Sequence, residues 1–212
     1  MTDSRHGGHL GAAYDSKSPD DVAALYDRWA DSYETDMSTA GYRHPTICLA
    51  LLARHLPAGP GPILDAGCGT GLLGDWLKIT GYPQAEGLDI SEGMLAVAAR
   101  KGAYDALHKL ALGRPLPFAD GHFAGVVSAG VFTTGHVGPE GLDELIRICS
   151  GVIVLTVKDA LWQTGFGQRV DELAKQGIVE IAEMTAPYVS MPGEAGTTPS
   201  RGVVLRVSKR EA

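Results

Sequence analysis

The stretch Ile63-Leu64-Asp65-Ala66-Gly67-Cys68-Gly69-Thr70-Gly71 constrains this chain more than any other part of it. An apolar run of strand length meets glycine at every second position, and a helical pattern over 72–80 follows. Short apolar runs bounded by glycine read as buried strands. Glycines at that spacing let the backbone bend sharply and approach another group closely. The helix start behind them points unpaired N–H groups into the turn, which suits a nucleotide-like ligand at the carboxyl end of the strand.

Beyond this unit, apolar runs and helical patterns alternate, which is the signature of βαβ units around a parallel sheet. Strands are expected at 63–66, 85–88, 106–109, 125–129 and 152–157, with helices at 72–80, 92–101 and 140–149 between them. A helical segment at 162–176 precedes two last strands at 178–186 and 202–207, and the loop 191–200 between those is rich in Pro, Gly and Thr. Ahead of the core, Ser18-Pro19-Asp20-Asp21 reads as a helix start: an N-cap serine, proline at the first helical position and acids at the positive end of the dipole. Val22, Leu25, Tyr26 and Trp29 follow at helical spacing, and a second helix over 45–56 stops at Pro57. Residues 1–18 show no apolar periodicity and read as a mobile tail. The expectation is therefore a tail (1–18) and a single domain (19–212). In that domain a helical cap (19–57) precedes an α/β, Rossmann-like doubly wound core (58–212).

Charge narrows the partners. Eighteen Lys and Arg against 25 Asp and Glu leave a net charge of −7, which repels phosphate backbones, so duplex nucleic acid is not an expected partner. No apolar run approaches the ~20 residues of a membrane helix, and no membrane partner is expected. The three cysteines, Cys48, Cys68 and Cys149, are odd in number and lack metal-ligand spacing. That argues against a disulfide framework or zinc site and for a cytoplasmic protein.

What the glycine turn holds depends on Asp65. Gly69-x-Gly71-x-x-Gly74 matches the dinucleotide fingerprint, but a carboxylate at the end of the strand would repel a pyrophosphate lying on the glycines. S-adenosylmethionine carries an ammonium, a sulfonium and no phosphate, so the acid becomes favourable. Asp89, in Gly87-Leu88-Asp89-Ile90-Ser91, ends the second strand, where an acid accepts hydrogen bonds from both ribose hydroxyls. The alternative for Asp89 is a helix N-cap, a role Ser91 fills better. Ile90 and Met94 pack either on an adenine face or in the core.

With these residues in place the chain resembles a class I S-adenosylmethionine-dependent methyltransferase. It is most similar to the methyltransferase-like proteins of the Williams-Beuren syndrome region and their bacterial relatives. The resemblance rests on Tyr26-Asp27-Arg28-Trp29-Ala30-Asp31-Ser32-Tyr33, the ILDAGCGTG turn, Gly87-Leu88-Asp89-Ile90-Ser91, and Gly130-Val131-Phe132-Thr133-Thr134-Gly135-His136-Val137-Gly138. It implies a seven-stranded sheet of order 3-2-1-4-5-7-6 with the last strand antiparallel. It also implies S-adenosylmethionine as cofactor and S-adenosylhomocysteine as product. The implied donor-binding residues are Tyr33, Asp65, Gly67, Cys68, Gly69, Thr70, Gly71, Asp89, Ile90, Met94, Ala111, Leu112 and Ser128. Ala111 is a departure, since many relatives place an adenine-reading Asp there. A second departure is the turn before the fifth strand, contracted to Cys149-Ser150-Gly151.

Methyl transfer is an in-line displacement that asks mainly for alignment and requires no metal. A neutral acceptor also needs a proton removed, and a positioned histidine is the usual base. His136, in the loop after the fourth strand, is the candidate; the alternative is that it only orders that loop. Tyr33 and Arg43 belong to the cap, while Tyr26 and Trp29 read as core because they share a face with Val22 and Leu25. The acceptor is expected to be a small, partly apolar molecule held among the cap, residues 132–137 and the loop 191–200, with Phe132, Trp162 and Tyr188 nearby. Two other functions stay open: a donor-binding protein without catalysis, and a nicotinamide-dependent oxidoreductase. The sequence names neither the acceptor atom nor an oligomeric state.

Overall fold

A computed structural model describes residues 18–59, 61–133 and 136–208; the expected tail up to residue 17, and Thr134 and Gly135, lie outside the described residues. Seven strands form one sheet: β1 (Ile63–Ala66), β2 (Ala85–Asp89), β3 (Ala106–Lys109), β4 (Phe123–Phe132), β5 (Cys149–Lys158), β6 (Val179–Met184) and β7 (Ser200–Val207). Their order is β3-β2-β1-β4-β5-β7-β6, with β7 antiparallel to both neighbours and the other pairs parallel, as the resemblance implies. All four residues of β1 are buried, as a central strand covered on both faces requires. The chain goes from β1 outward to β2 on one side and later returns to β4 on the other. Such a switch leaves a crevice at the carboxyl ends of the strands.

Helices cover both faces. On one, α6 (Gly141–Ile148) and α8 (Gly167–Lys175) bury Leu142, Leu145, Val170 and Leu173 against Ile153, Leu155 and Phe123. Each such side chain contributes roughly 1.5–3 kcal/mol by leaving water. On the other, α3 (His44–His55) lays Cys48, Leu51 and Leu52 on Ile63, Val127, Val152 and Val204, beside Leu77 of α4 (Gly74–Ile79). The helix expected over 45–56 as part of a cap therefore lies on the sheet. Its periodicity shows a buried face but not what buries it.

The cap consists of α1 (Pro19–Trp29) and α2 (Tyr33–Ala40). The α2 helix is absent from the sequence expectation. Only Met37 and Ala40 of its residues are buried, so its pattern is weak; Gly41, in the left-handed region at φ 69°, ends it. Trp29, Met37, Ala40 and Met191 cluster where the loop before β7 docks on the cap. The Gly193 N–H donates to the Ala40 carbonyl at 3.0 Å, and the Arg43 N–H to that of Ser190 at 2.9 Å. The segment expected as one helix over 162–176 divides: a short α7 (Asp159–Leu161) runs into a π-helical turn (Trp162–Phe166), in which Gly165 at φ 128° breaks the helix before α8. No helix among the described residues is long and apolar enough to cross a membrane.

Candidate functional site

A cleft of about 650 Å³ opens at the carboxyl ends of β1, β2 and β4, with α1 across its top. The glycine turn is its floor, and the three glycines do different work. A Cβ on Gly67 would overlap the Val131 side chain, and one on Gly71 would press on Tyr104 at 3.1 Å and Ala98 at 3.3 Å; both positions are reserved by packing. Gly69, at φ 53°, lines the cleft, and a Cβ there would meet no atom within 4 Å. Its missing side chain keeps the cleft open.

Asp89 fixes this turn. Its Oδ2 accepts the Gly69 N–H and its Oδ1 the Ser91 N–H, both at 2.9 Å, so one carboxylate joins the turn to the end of β2. Burial raises its pKa, and the N–H groups of Ser91, Gly69 and Ile90 oppose that rise. The N-cap of α5 (Glu92–Lys101) is Ser91, whose Oγ accepts the Met94 N–H at 3.1 Å. That leaves Asp89 facing the cleft. The Ser91 hydroxyl in turn donates to Asp27 at 2.6 Å, and the same Asp27 oxygen accepts the Gly93 N–H at 2.8 Å. These bonds hold the Asp27 carboxyl below its usual range and pin α1 over the site.

Asp65 lies behind the turn and does not line the cleft. It is 1% exposed and accepts the Tyr104 hydroxyl at 2.6 Å. Burial pushes its pKa up to about 7, with the Asp89 charge adding to the rise and the Tyr104 bond opposing it. Ser128 also sits behind the wall, donating to the Ala66 carbonyl at 2.7 Å. Cys68 and Thr70 are buried; the Cys68 sulfur packs where a Cβ on Gly87 would be, 2.8 Å away, and burial pushes its thiol pKa up. Ile90, Met94, Ala111 and Leu112 do line the cleft, as an apolar end beside Asp89. Sequence reasoning missed Val22, Tyr42, Arg114 and Glu140, which complete its walls.

At the opposite end the Tyr26 hydroxyl meets His136 Nε2 at 3.1 Å. Tyr26 is thus a wall residue, whereas Trp29 is core as expected, 2% exposed and donating to Asp36 at 2.6 Å. Tyr33 lines the cleft; Arg43 is exposed and turns to the Val189 carbonyl at 3.4 Å. A small chamber of about 50 Å³ adjoins this end, walled by Phe132, His44, Thr156, Lys158 and the cap aromatics. Trp162 and Tyr188 reach neither space: Trp162 lies under the Arg201 guanidinium, and the Tyr188 hydroxyl meets His44 Nδ1 at 2.8 Å.

Residues 63–153, which hold the turn, Asp89 and β4, match the methyltransferase-domain family. Residues 63–153 are those of a methyltransferase domain. Methyltransferase-like protein 27 of Homo sapiens is 38% identical over 138 residues, 63% of this chain and 56% of that protein. An 18S rRNA (guanine-N(7))-methyltransferase of Mus musculus is 39% identical over 74 residues, 34% of this chain and 26% of the relative. The chain thus spans between about a quarter and three fifths of the length of the curated relatives it matches. Among solved structures, magnesium protoporphyrin IX methyltransferase from Synechocystis PCC 6803 with bound SAM superposes with a TM-score of 0.64 at 18% identity. That match covers 86% of this chain and 91% of the other.

Proposed function

We propose that this methyltransferase domain uses S-adenosylmethionine to methylate a small-molecule acceptor, leaving S-adenosylhomocysteine. The observation that carries the reading is the open position at Gly69, whose N–H is held by Asp89 while its missing Cβ leaves room for a ligand. Asp89 lies close enough to Asp65 that its charge raises the Asp65 pKa. A pyrophosphate on this turn would lie against Asp89 and in the field of Asp65 behind it, whereas an ammonium and sulfonium relieve their repulsion. Asp89 would hold the ribose diol, and Ile90, Met94, Ala111 and Leu112 would enclose the adenine by apolar contact. Asp65 acts from behind the turn, through its field and through Tyr104.

Bound S-adenosylmethionine supplies a methyl carbon already activated for displacement. The residues of this chain then have two tasks, alignment and proton removal. Tyr26, Tyr33 and Tyr42 wall the acceptor end and exclude water. His136 takes the acceptor proton, with the Tyr26 hydroxyl orienting its ring. A small-molecule acceptor suits a net charge of −7 and a closed aromatic end better than a polyanion does. Labelled-methyl transfer from S-adenosylmethionine into fractionated cell extract tests this reading. Label in the small-molecule fraction is expected, and label confined to RNA or protein would contradict it.

A further inference from the structure

We infer that the chamber beside the cleft is a carboxylate pocket anchored by Lys158, so that the acceptor is a small molecule bearing a carboxylate a short distance from the methylated atom. This rests on the methyl-transfer reading and names its substrate class.

Lys158 is the last residue of β5, 6% exposed, and its Nζ donates to the Thr198 carbonyl at 2.9 Å. It is therefore held in one place by a strand end and a loop carbonyl, as a binding group must be. Burial lowers its pKa to about 8, which still leaves it largely protonated at neutral pH. His44, on the same wall, is kept neutral, its pKa lowered to about 3 by burial and by the Lys158 charge. Among the described residues the remaining lining is aromatic, imidazole, hydroxylic or apolar and holds no carboxylate.

Two hydroxyls complete the donor set. Thr133 Oγ1 is buried without a hydrogen-bond partner among the described residues, and it lines both chamber and cleft. Thr156 Oγ1 accepts the Gly130 N–H at 2.7 Å and keeps its own proton to donate. An ammonium and two hydroxyls are donors suited to a carboxylate, and a buried hydroxyl left unpaired is a group awaiting an acceptor.

Size and position fix the rest. About 50 Å³ has room for a carboxylate and the carbon bearing it, and none for a chain of phosphodiesters. Tyr26, Tyr33, Tyr42, Gly130, Thr133 and His136 border both spaces, so only that ring of residues lies between the chamber and the cleft. A molecule with its carboxylate on Lys158 therefore extends past the tyrosines to His136, where the proton is to be removed.

The test is calorimetry on protein loaded with S-adenosylhomocysteine, titrated with phenylacetate and with its neutral isostere phenylacetamide. Phenylacetate is expected to bind about tenfold or more tightly than the amide. Lys158→Met should bring the two within about twofold while leaving S-adenosylhomocysteine affinity unchanged. Thr133→Val, which keeps the lysine, should weaken phenylacetate alone by about threefold, and it serves if the first variant fails to fold. Equal binding of the two probes to the unaltered protein, no binding by phenylacetate, or a preference that survives Lys158→Met overturns the inference. Failure of the unaltered protein to take up S-adenosylhomocysteine removes the methyl-transfer reading and the inference with it; uptake without carboxylate preference removes the inference alone.

Discussion

The donor end of the cleft comes mostly from one continuous stretch of chain, from β1 to the residues just after β3, and its turn is tied by backbone N–H groups held by Asp89. The acceptor end is assembled from α1, Tyr42, the residues that follow β4 and the end of β5, and its walls are side chains from these separate elements. Tyr26 and His136, which touch there, lie 110 residues apart. A site made of backbone tolerates little change, because the ligand replaces a side chain that must be absent. A site made of side chains from separate elements changes its preference by single substitutions and leaves the donor in place.

Five substitutions can break or sharpen that contrast. The largest effect is expected from Gly69→Asn. Asparagine tolerates positive φ, so the fold survives, but its side chain fills the space a ligand needs, and S-adenosylhomocysteine affinity should fall by about 10²-fold or more. Undiminished binding would mean that the turn is not the donor site. Next, Asp89→Ala should weaken the same ligand by roughly 2–4 kcal/mol and also lower Tm, because the Gly69 and Ser91 N–H groups lose their acceptor. A fall in Tm alone would reduce Asp89 to a structural tie.

His136→Ala should leave donor affinity within about twofold and cut transfer to an identified acceptor by about 10²-fold, with Tyr26→Phe showing the same pattern at smaller amplitude. If donor affinity falls in step with turnover, His136 belongs to the donor end and the division between the ends is wrong. The smallest effect concerns Asp65, whose folded pKa of about 7 lies above the unfolded value of about 3.9. The folded state therefore holds the extra proton between those values. The stabilising contribution is full below about pH 4 and is lost as pH rises through about 7. Asp65→Asn, which cannot ionise, should gain a few degrees of Tm relative to the unaltered protein between pH 4 and pH 8. A constant difference across that range would show that the fold does not raise the Asp65 pKa.

The same contrast explains what the sequence makes legible. The strand, the glycines and Asp89 are near neighbours in the chain, so periodicity and spacing reveal them together; β1, β3 and α5 run over the expected residues. The motif does not say which of its residues face the ligand. Gly69 and Asp89 line the cleft, while Asp65, Cys68, Thr70 and Ser128 are buried behind it. Tyr26 shares a helical spacing with the core residue Trp29, yet only Trp29 is core, since the cleft begins one turn before the cluster around Met37 and Met191. Tyr42 and Lys158 carry no local signal at all; only the sheet order brings the ends of β4 and β5 beside the cap.

The central claim, that the turn between β1 and α4 is a site for a phosphate-free cationic nucleoside, is tested most directly by titrating the unaltered protein in a calorimeter with S-adenosylmethionine, S-adenosylhomocysteine and NAD. The account predicts saturable binding of both sulfur ligands, of the strength expected where one carboxylate lines an open glycine turn and a second lies behind it, and no heat from NAD. Saturable NAD binding with no response to either sulfur compound would contradict it.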